Sequence, residues 1–313
     1  MKVAFVFPGQ GSQYVGMGRE LARQDPAAAR LLSEADEVLD FPLSRVMMEG
    51  PEEELRRTVN TQPALLLAST AVARRLMRGL RPDYVAGHSL GEYSALVAAG
   101  ALTLKDALRL VRRRGEAMEA AAPAGRGGMV AVLALAAAEV RESVAAARAG
   151  GAGIVEVANY NCPGQVVLSG EAEGLKRAGE ECLRRGAAKV VPLAVSGPFH
   201  SSFMQPAADA LAEALGEVAL LDAAIPVVAN FTAEVAREAE DIRANLIRQL
   251  TGPVRWEESV RRLVGLGVQV FVEVGPGRVL SGLIRRCDRG VTVLQAEEAE
   301  GCQKVLDFVG GGG

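Results

Sequence analysis

Histidine is scarce in this chain, aromatic residues make up only 4% of it, and neither sign of charge prevails. Each shortage closes off a class of function. A formal net charge of -3 over 313 residues offers no basic surface for nucleic acid. Few aromatics leave no stacking platform for bases. The four cysteines, Cys162, Cys182, Cys287 and Cys302, lack C-x-x-C spacing and have no histidine beside them. No metal is therefore expected, and a reducing cytoplasm is the natural setting. No apolar run approaches the ~20 residues of a membrane helix. The run Met1-Lys2-Val3-Ala4-Phe5-Val6-Phe7 is too short for a signal peptide.

What is present reads as an ordinary globular chain, 49% hydrophobic and 23% charged, long enough for one large core or two domains. Its organising stretch is Gly87-His88-Ser89-Leu90-Gly91. Asp83 to Ala86 reads as a short buried strand and Glu92 to Ala99 as a helix. Strand, G-x-S-x-G and helix together make a nucleophile elbow, with Ser89 exposed at a helix N-terminus. The alternative is a tight turn with a capping serine, and the correct flanks favour the elbow. A serine nucleophile needs a base, and the chain holds only His88 and His200. Adjacent side chains leaving a strand point to opposite faces, so His88 is badly placed for Ser89. His200 is the remaining histidine candidate.

Val3 to Phe7 reads as a strand buried on both faces. It enters Pro8-Gly9-Gln10-Gly11-Ser12-Gln13, a glycine loop without the lysine of a Walker motif and with Tyr14 where a dinucleotide fingerprint needs glycine. That loop presents Gln10 at the C-terminal end of a strand, where α/β proteins keep their sites. Asp25-Pro26 caps a helix to Leu39, another helix starts near Pro51, and Thr61 opens a longer one to Leu76. Thr103 opens a capped helix to about Met118, with Leu104, Ala107, Leu108, Val111 and Met118 on its apolar face. At ~100° per residue, Arg113 falls opposite that face. Arg112 and Arg114 lie on its two flanks, and spacing cannot separate them.

From Gly125 the pattern changes to strands at 129–135, 154–158, 165–169 and 189–193, with helices at 138–147 and 171–185. The order βαββαβ is the ferredoxin-like unit. It follows a Pro/Gly-rich linker, residues 122–128, and Asn159 to Gly164 forms the turn of its central hairpin. Beyond His200, helices are expected at 204–215, 241–250, 254–266 and from Gly277 to Arg286. Strands are expected at 225–229 and 268–274, and Gly310 to Gly313 as a disordered tail. The fold class is thus α/β: an α/β-hydrolase-like core with a parallel sheet and nucleophile elbow (residues 1–124 and 194–313), plus an inserted ferredoxin-like domain (residues 125–193).

Phe7-Pro8-Gly9-Gln10-Gly11-Ser12-Gln13, Gly87-His88-Ser89-Leu90-Gly91-Glu92, Phe199-His200-Ser201 and Glu273-Val274-Gly275-Pro276-Gly277 occur in that order. Arg113-Arg114-Gly115, Asn161-Cys162-Pro163-Gly164-Gln165 and Arg248-Gln249-Leu250 accompany them. In this set of motifs the chain resembles the malonyl-CoA:acyl carrier protein transacylases of bacterial type II fatty acid synthesis. The resemblance implies that Ser89 is acylated and His200 is its base. It implies an oxyanion hole from the backbone amides of Gln10 and Leu90, and Arg114 as the group that holds the malonyl carboxylate. It also implies that the Gln249 main-chain carbonyl orients His200, that Asn161 lines the site, and that Phe199 accompanies malonyl rather than methylmalonyl use. Ser196-Gly197-Pro198 departs from the family pattern in a segment that bears on substrate choice. Malonyl-CoA and acyl carrier protein are the implied partners, with no metal or bound redox cofactor. An acyl hydrolase built on the same elbow is the competing enzyme, although His200 lies mid-chain rather than near the C-terminus. A carrier-binding module with a relic site is the non-enzymatic alternative.

Overall fold

The computed structural model describes residues 1–122 and 127–311. In chain order its strands are β1 (Lys2–Phe7), β2 (Tyr84–Gly87), β3 (Gly128–Leu133), β4 (Val155–Cys162), β5 (Gln165–Gly170), β6 (Lys189–Pro192), β7 (Val227–Val228), β8 (Val235–Ala236), β9 (Val268–Val274) and β10 (Thr292–Ala296). They form two sheets. The larger has the order β10-β9-β1-β2-β7-β8 and the smaller β4-β5-β3-β6.

Val3 to Phe7 of β1 are buried on both faces, as a central strand between two helical layers must be. Parallel pairing joins β10 to β9, β9 to β1, β1 to β2 and β2 to β7. The expected parallel sheet is corrected at one edge, because β8 returns antiparallel to β7. β1 and β2 end side by side at Phe7 and Gly87, so the loops that follow them converge. His88 N–H then donates to Phe7 O at 3.0 Å, tying the elbow to the neighbouring strand.

The two glycines of the elbow are fixed by contact. A Cβ at Gly87 would collide with the backbone of Gly91, and one at Gly91 with the carbonyl of Phe7. The turn can fold back on itself only without those side chains.

In the smaller sheet all pairings are antiparallel, and the helices Ala137–Ala149 and Ala172–Arg184 complete the order βαββαβ. One face packs with those helices in a core of its own, including Val132, Val140, Val155, Leu168, Leu175 and Cys182. Met129, Ala131, Ala158 and Val167 join the core of the larger unit instead. The small sheet is therefore sandwiched between its own helices and the rest of the molecule.

Several expected boundaries move. β4 runs through Cys162, so Asn159 to Cys162 are strand residues and only Pro163-Gly164 turns. The cause lies outside the hairpin: Tyr160 N–H donates to Val254 O at 2.9 Å and Val254 N–H to Ala158 O at 2.8 Å, which extends β4 and keeps Val254 out of the following helix. That helix is Trp256–Gly265. β7 shrinks to two residues because Pro226 has no N–H and the chain turns at Ala229. The helix Thr58–Leu76 begins three residues before Thr61 and carries Pro63 inside it, its first turn pinned by Thr61 Oγ1 donating to Leu55 O and Asn60 Nδ2 to Glu54 O. The helices Arg19–Gln24, Leu43–Glu49 and Ala299–Gly310, with β8 and β10, stand where no element was expected. Gly310 closes a helix rather than a tail, and Gly312 and Gly313 lie outside the described residues. So do Pro123 to Arg126 of the linker, and with them the expected domain boundary. Among the described residues no helix is long and apolar enough to cross a membrane.

Candidate active site

The loops after β1 and β2, the segment before His200 and the face of the small sheet enclose one cavity of about 190 Å³. Gln10, Ser89, Leu90, Arg114, Asn161, Phe199 and His200 all line it. Gln249 stands behind His200. Elsewhere the walls are largely apolar, with Met118, Met129, Val167 and Leu193 among them. Val279, Leu280 and Leu283 come from a helix whose first amides are held by β9: the buried Glu273 carboxylate accepts from Leu280 N–H at 2.9 Å and Ser281 N–H at 2.7 Å.

Ser89 and His200 both have left-handed backbones, at φ 51° and 56°. Such positions cost roughly 1–3 kcal/mol each for residues other than glycine and cluster at functional sites. Here the turns aim the two side chains at each other. Ser89 Oγ lies 2.8 Å from His200 Nε2, and His200 Nδ1 lies 2.8 Å from the carbonyl of Gln249. A carbonyl only accepts, so Nδ1 carries the proton and Nε2 presents its lone pair to the Ser89 hydroxyl. Burial, then the charge of Arg114, push the His200 pKa down to about 3. The imidazole is therefore neutral and able to take a proton throughout the physiological range.

His88 goes elsewhere. Its Nε2 donates to Asn161 Oδ1 at 2.9 Å, and its ring lies 5.7 Å from that of Trp256. Asn161 thus lines the cavity while holding His88 in place.

The structure separates the arginines that helical spacing could not. Arg113 pairs with Glu217 at the surface. Arg112 donates to Asn60 Oδ1 at 2.9 Å and lies over Phe41. Arg114 is 1% exposed and reaches the cavity. Its Nη1 donates to Gln62 Oε1 at 2.7 Å, and its Nη2 to Gln249 Oε1 at 2.9 Å and Ser89 Oγ at 3.2 Å. Its Nε–H is buried with no partner among the described residues. A guanidinium desolvated against neutral amides, with a donor to spare, is prepared for an anion.

The amides of Gln10 and Leu90 have no protein acceptor among the described residues, while those of His88 and Gly91 do. Both free donors belong to residues that line the cavity beside Ser89. Gln10 is steadied by its side chain, which donates to Thr58 Oγ1 at 3.3 Å; that hydroxyl in turn meets Ser196 Oγ at 3.0 Å.

Against known proteins, residues 4–303 match the model of the acyl transferase domain. The chain belongs to the acyl transferase domain family. It is 50% identical over 300 residues to the malonyl CoA-acyl carrier protein transacylase of Bacillus subtilis, covering 96% of this chain and 94% of that one. The protein of the same name from Escherichia coli is 42% identical, with 97% and 99% covered. Among solved structures, the acyl-carrier-protein-S-malonyltransferase of Bartonella henselae aligns with a TM-score of 0.96 at 42% identity, covering 99% and 100% of the two chains. A malonyl-transacylase in complex with its type II PKS acyl-carrier protein aligns at 0.95 and 42% identity, covering 98% and 100%.

Three side chains around Ser89 and Arg114 were not singled out in the sequence. Asn230 accepts from Ser89 N–H at 2.6 Å and donates to Gly87 O at 2.5 Å, clamping both sides of the elbow. Gln62 holds Arg114. Glu92, inside the elbow motif, takes hydrogen bonds from Gln249 and Asn230. For Glu92 the signal was an acid buried in an otherwise apolar helix; Gln62 and Asn230 carry no local signal.

Proposed function

We propose that the chain moves malonyl from coenzyme A to the phosphopantetheine thiol of acyl carrier protein, through a malonyl ester on Ser89, in cytoplasmic fatty acid synthesis. One observation carries this reading: Ser89 Oγ sits between a neutral histidine at 2.8 Å and a buried guanidinium at 3.2 Å. The first suits a nucleophile, and the second an acyl group that carries its own negative charge.

Ser89 attacks the malonyl-CoA thioester as His200 Nε2 takes its proton. The Gln10 and Leu90 amides receive the charge that forms on the carbonyl oxygen, where one such donor is worth ~2.7–4 kcal/mol. The tetrahedral intermediate collapses, and CoA thiolate leaves with the proton from His200. The carrier thiol then gives its proton to His200 and attacks the malonyl ester, and the second tetrahedral intermediate releases Ser89, whose oxygen takes that proton back from His200. No step calls for a metal or redox cofactor. The Gln249 carbonyl keeps the proton on Nδ1 in place of an acid.

In the same reading the larger unit, residues 1–124 and 194–313, is an α/β-hydrolase-like core. Residues 125–193 are a ferredoxin-like insertion whose β4 closes the site. An antiparallel sheet in βαββαβ order with its own apolar core supports the second assignment. Brief exposure to malonyl-CoA, then to carrier protein, tests the whole reading by intact-protein mass. A malonyl adduct that passes to the carrier is expected; free malonate as the product would mark a hydrolase instead.

Two substitutions test substrate choice. Arg114→Ala is expected to lose the preference for malonyl over acetyl by ten- to hundredfold, since hydrogen bonds to charged groups are worth ~1.5–3 kcal/mol. Arg114→Lys should restore only part, because an ammonium lacks the fork. Arg113→Ala, at the surface with Glu217, is the control. Equal malonyl preference in both alanine variants would move the carboxylate site elsewhere. Phe199 is buried beside His200 on the cavity wall, where its ring would crowd the acyl α-carbon. Phe199→Ala should admit methylmalonyl with a gain of ~1–3 kcal/mol in relative kcat/KM; an unchanged ratio would sink that role.

A further inference from the structure

Glu92 is a buried acid that the mechanism above does not use. It stands in the first turn of the helix behind the elbow, 2% exposed. Its Oε2 accepts from Gln249 Nε2 at 2.7 Å and from Asn230 N–H at 3.1 Å. Gln249 Nε2 also donates to Ser89 O at 3.1 Å. With both amide hydrogens committed, Gln249 Oε1 is turned towards Arg114 Nη2. The carboxylate sets the amide, and the amide sets the guanidinium. Among the described residues Arg114 donates to two amides and the Ser89 hydroxyl and lies over the Tyr93 ring, so Glu92 is its nearby counter-charge, one side chain removed.

We propose that Glu92 is a positioning residue for Arg114 that takes up a proton from solvent when the acyl carboxylate arrives, ionised against the free guanidinium and protonated once the substrate supplies the counter-charge. This rests on the reading that Arg114 receives that carboxylate. Two anions and one cation in a buried site are costly, and protonation removes one of the anions. Oε2 serves as acceptor in either state, so the new proton bonds to Oε1 and the network keeps its shape. No substrate bond breaks in this step.

The electrostatics agree in direction. Burial holds the Glu92 carboxyl up to about 7, against the opposing pull of its hydrogen bonds and of Arg114. A substrate carboxylate on Arg114 weakens that pull and raises the carboxyl further. Around Glu92, Arg114 comes from the Leu104–Ala121 helix and Tyr93 from its own. The Ala239–Thr251 helix and the loop after β7 offer Gln249 and Asn230, which are amides. The buried residues of β1, β2 and the Thr58–Leu76 helix are uncharged.

The test is acylation kcat/KM from pH 6 to 8.5 with malonyl-pantetheine and acetyl-pantetheine, which carry no titrating phosphate. In the wild type the malonyl value should fall roughly tenfold between pH 7 and 8.5, following loss of the Glu92 proton, while the acetyl value stays level. E92Q keeps an acceptor but cannot titrate, and should give a level malonyl profile. A level wild-type profile, an equal fall with acetyl, or a fall that persists in E92Q would each overturn the proposal. Should E92Q fail to fold, malonyl-pantetheine binding to S89A in buffers of different ionisation enthalpy must reveal proton uptake, and none would be equally decisive. R114A separates the two levels. Intact malonyl preference in R114A defeats the carboxylate reading; lost preference with an unchanged E92Q profile defeats only the role of Glu92.

Discussion

Ser89→Ala is expected to leave a folded protein that gains no mass from malonyl-CoA. The substitution removes Oγ and nothing else. The Cβ that suffers the left-handed backbone is common to both residues, so the turn at φ 51° is no more strained than before. The elbow keeps its clamp, because Asn230 holds the Ser89 N–H and the Gly87 carbonyl rather than the hydroxyl. His200 keeps its bond to the Gln249 carbonyl, and Arg114 keeps Gln62 and Gln249. Two hydrogen bonds are lost, each worth ~0.5–1.5 kcal/mol, against relief of a hydroxyl held in a desolvated site. A shift in Tm of no more than a few degrees follows for a chain of this size. Transfer, by contrast, should be abolished: Ser12, the other hydroxyl on the cavity wall, has no histidine within hydrogen-bond reach among the described residues, and Cys162 is buried in a neighbouring cluster, its thiol held up by burial. Intact-protein mass and a thermal melt decide the matter together. An adduct that survives the substitution would place the nucleophile elsewhere, and a variant that cannot fold would make Ser89 a structural cap.

What could be read from the sequence follows from the range of each interaction. The elbow was legible because its requirements are local: a strand, two glycines where backbones touch, and a helix within nine residues of chain. His200 was legible by elimination, since histidine is so rare here. Arg114 was not separable from Arg112, because both flank the apolar stripe and the choice depends on what stands opposite. Asn60 and Phe41 claim one; Gln62, Gln249 and the Tyr93 ring claim the other. The amide network behind the site joins Ser89, Glu92, Asn230 and Gln249 across more than a hundred positions, and amides carry no periodic signature. The overextended hairpin turn failed for the same reason. Asn159 and Tyr160 look like turn residues until Val254 arrives to pair with their strand.

His200→Ala should slow acylation by ~10²–10⁴-fold, whereas His88→Ala should act only through packing of the elbow against Asn161 and Trp256. In the single-turnover rate the two must differ by at least tenfold, and equal losses would mean that His200 is not the base. The pH dependence has a definite sign. A general base works unprotonated, and with its pKa pushed down to about 3 the wild-type imidazole stays unprotonated well into acid. On its account acylation of the free enzyme is level from pH 8 to about 5 and declines only on approach to 3. The same depression bears on stability. In the unfolded chain this histidine binds a proton below about 6.5, whereas the folded protein withholds it. Its burial therefore costs nothing above that pH and roughly 1.4 kcal/mol per unit as the pH falls from 6.5 towards 3. His200→Ala lacks that penalty, so its deficit in stability against the wild type should shrink between pH 7 and pH 5. Urea unfolding at the two values measures the change, and a deficit that grew in acid would mean that His200 is charged in the folded state and cannot accept the Ser89 proton.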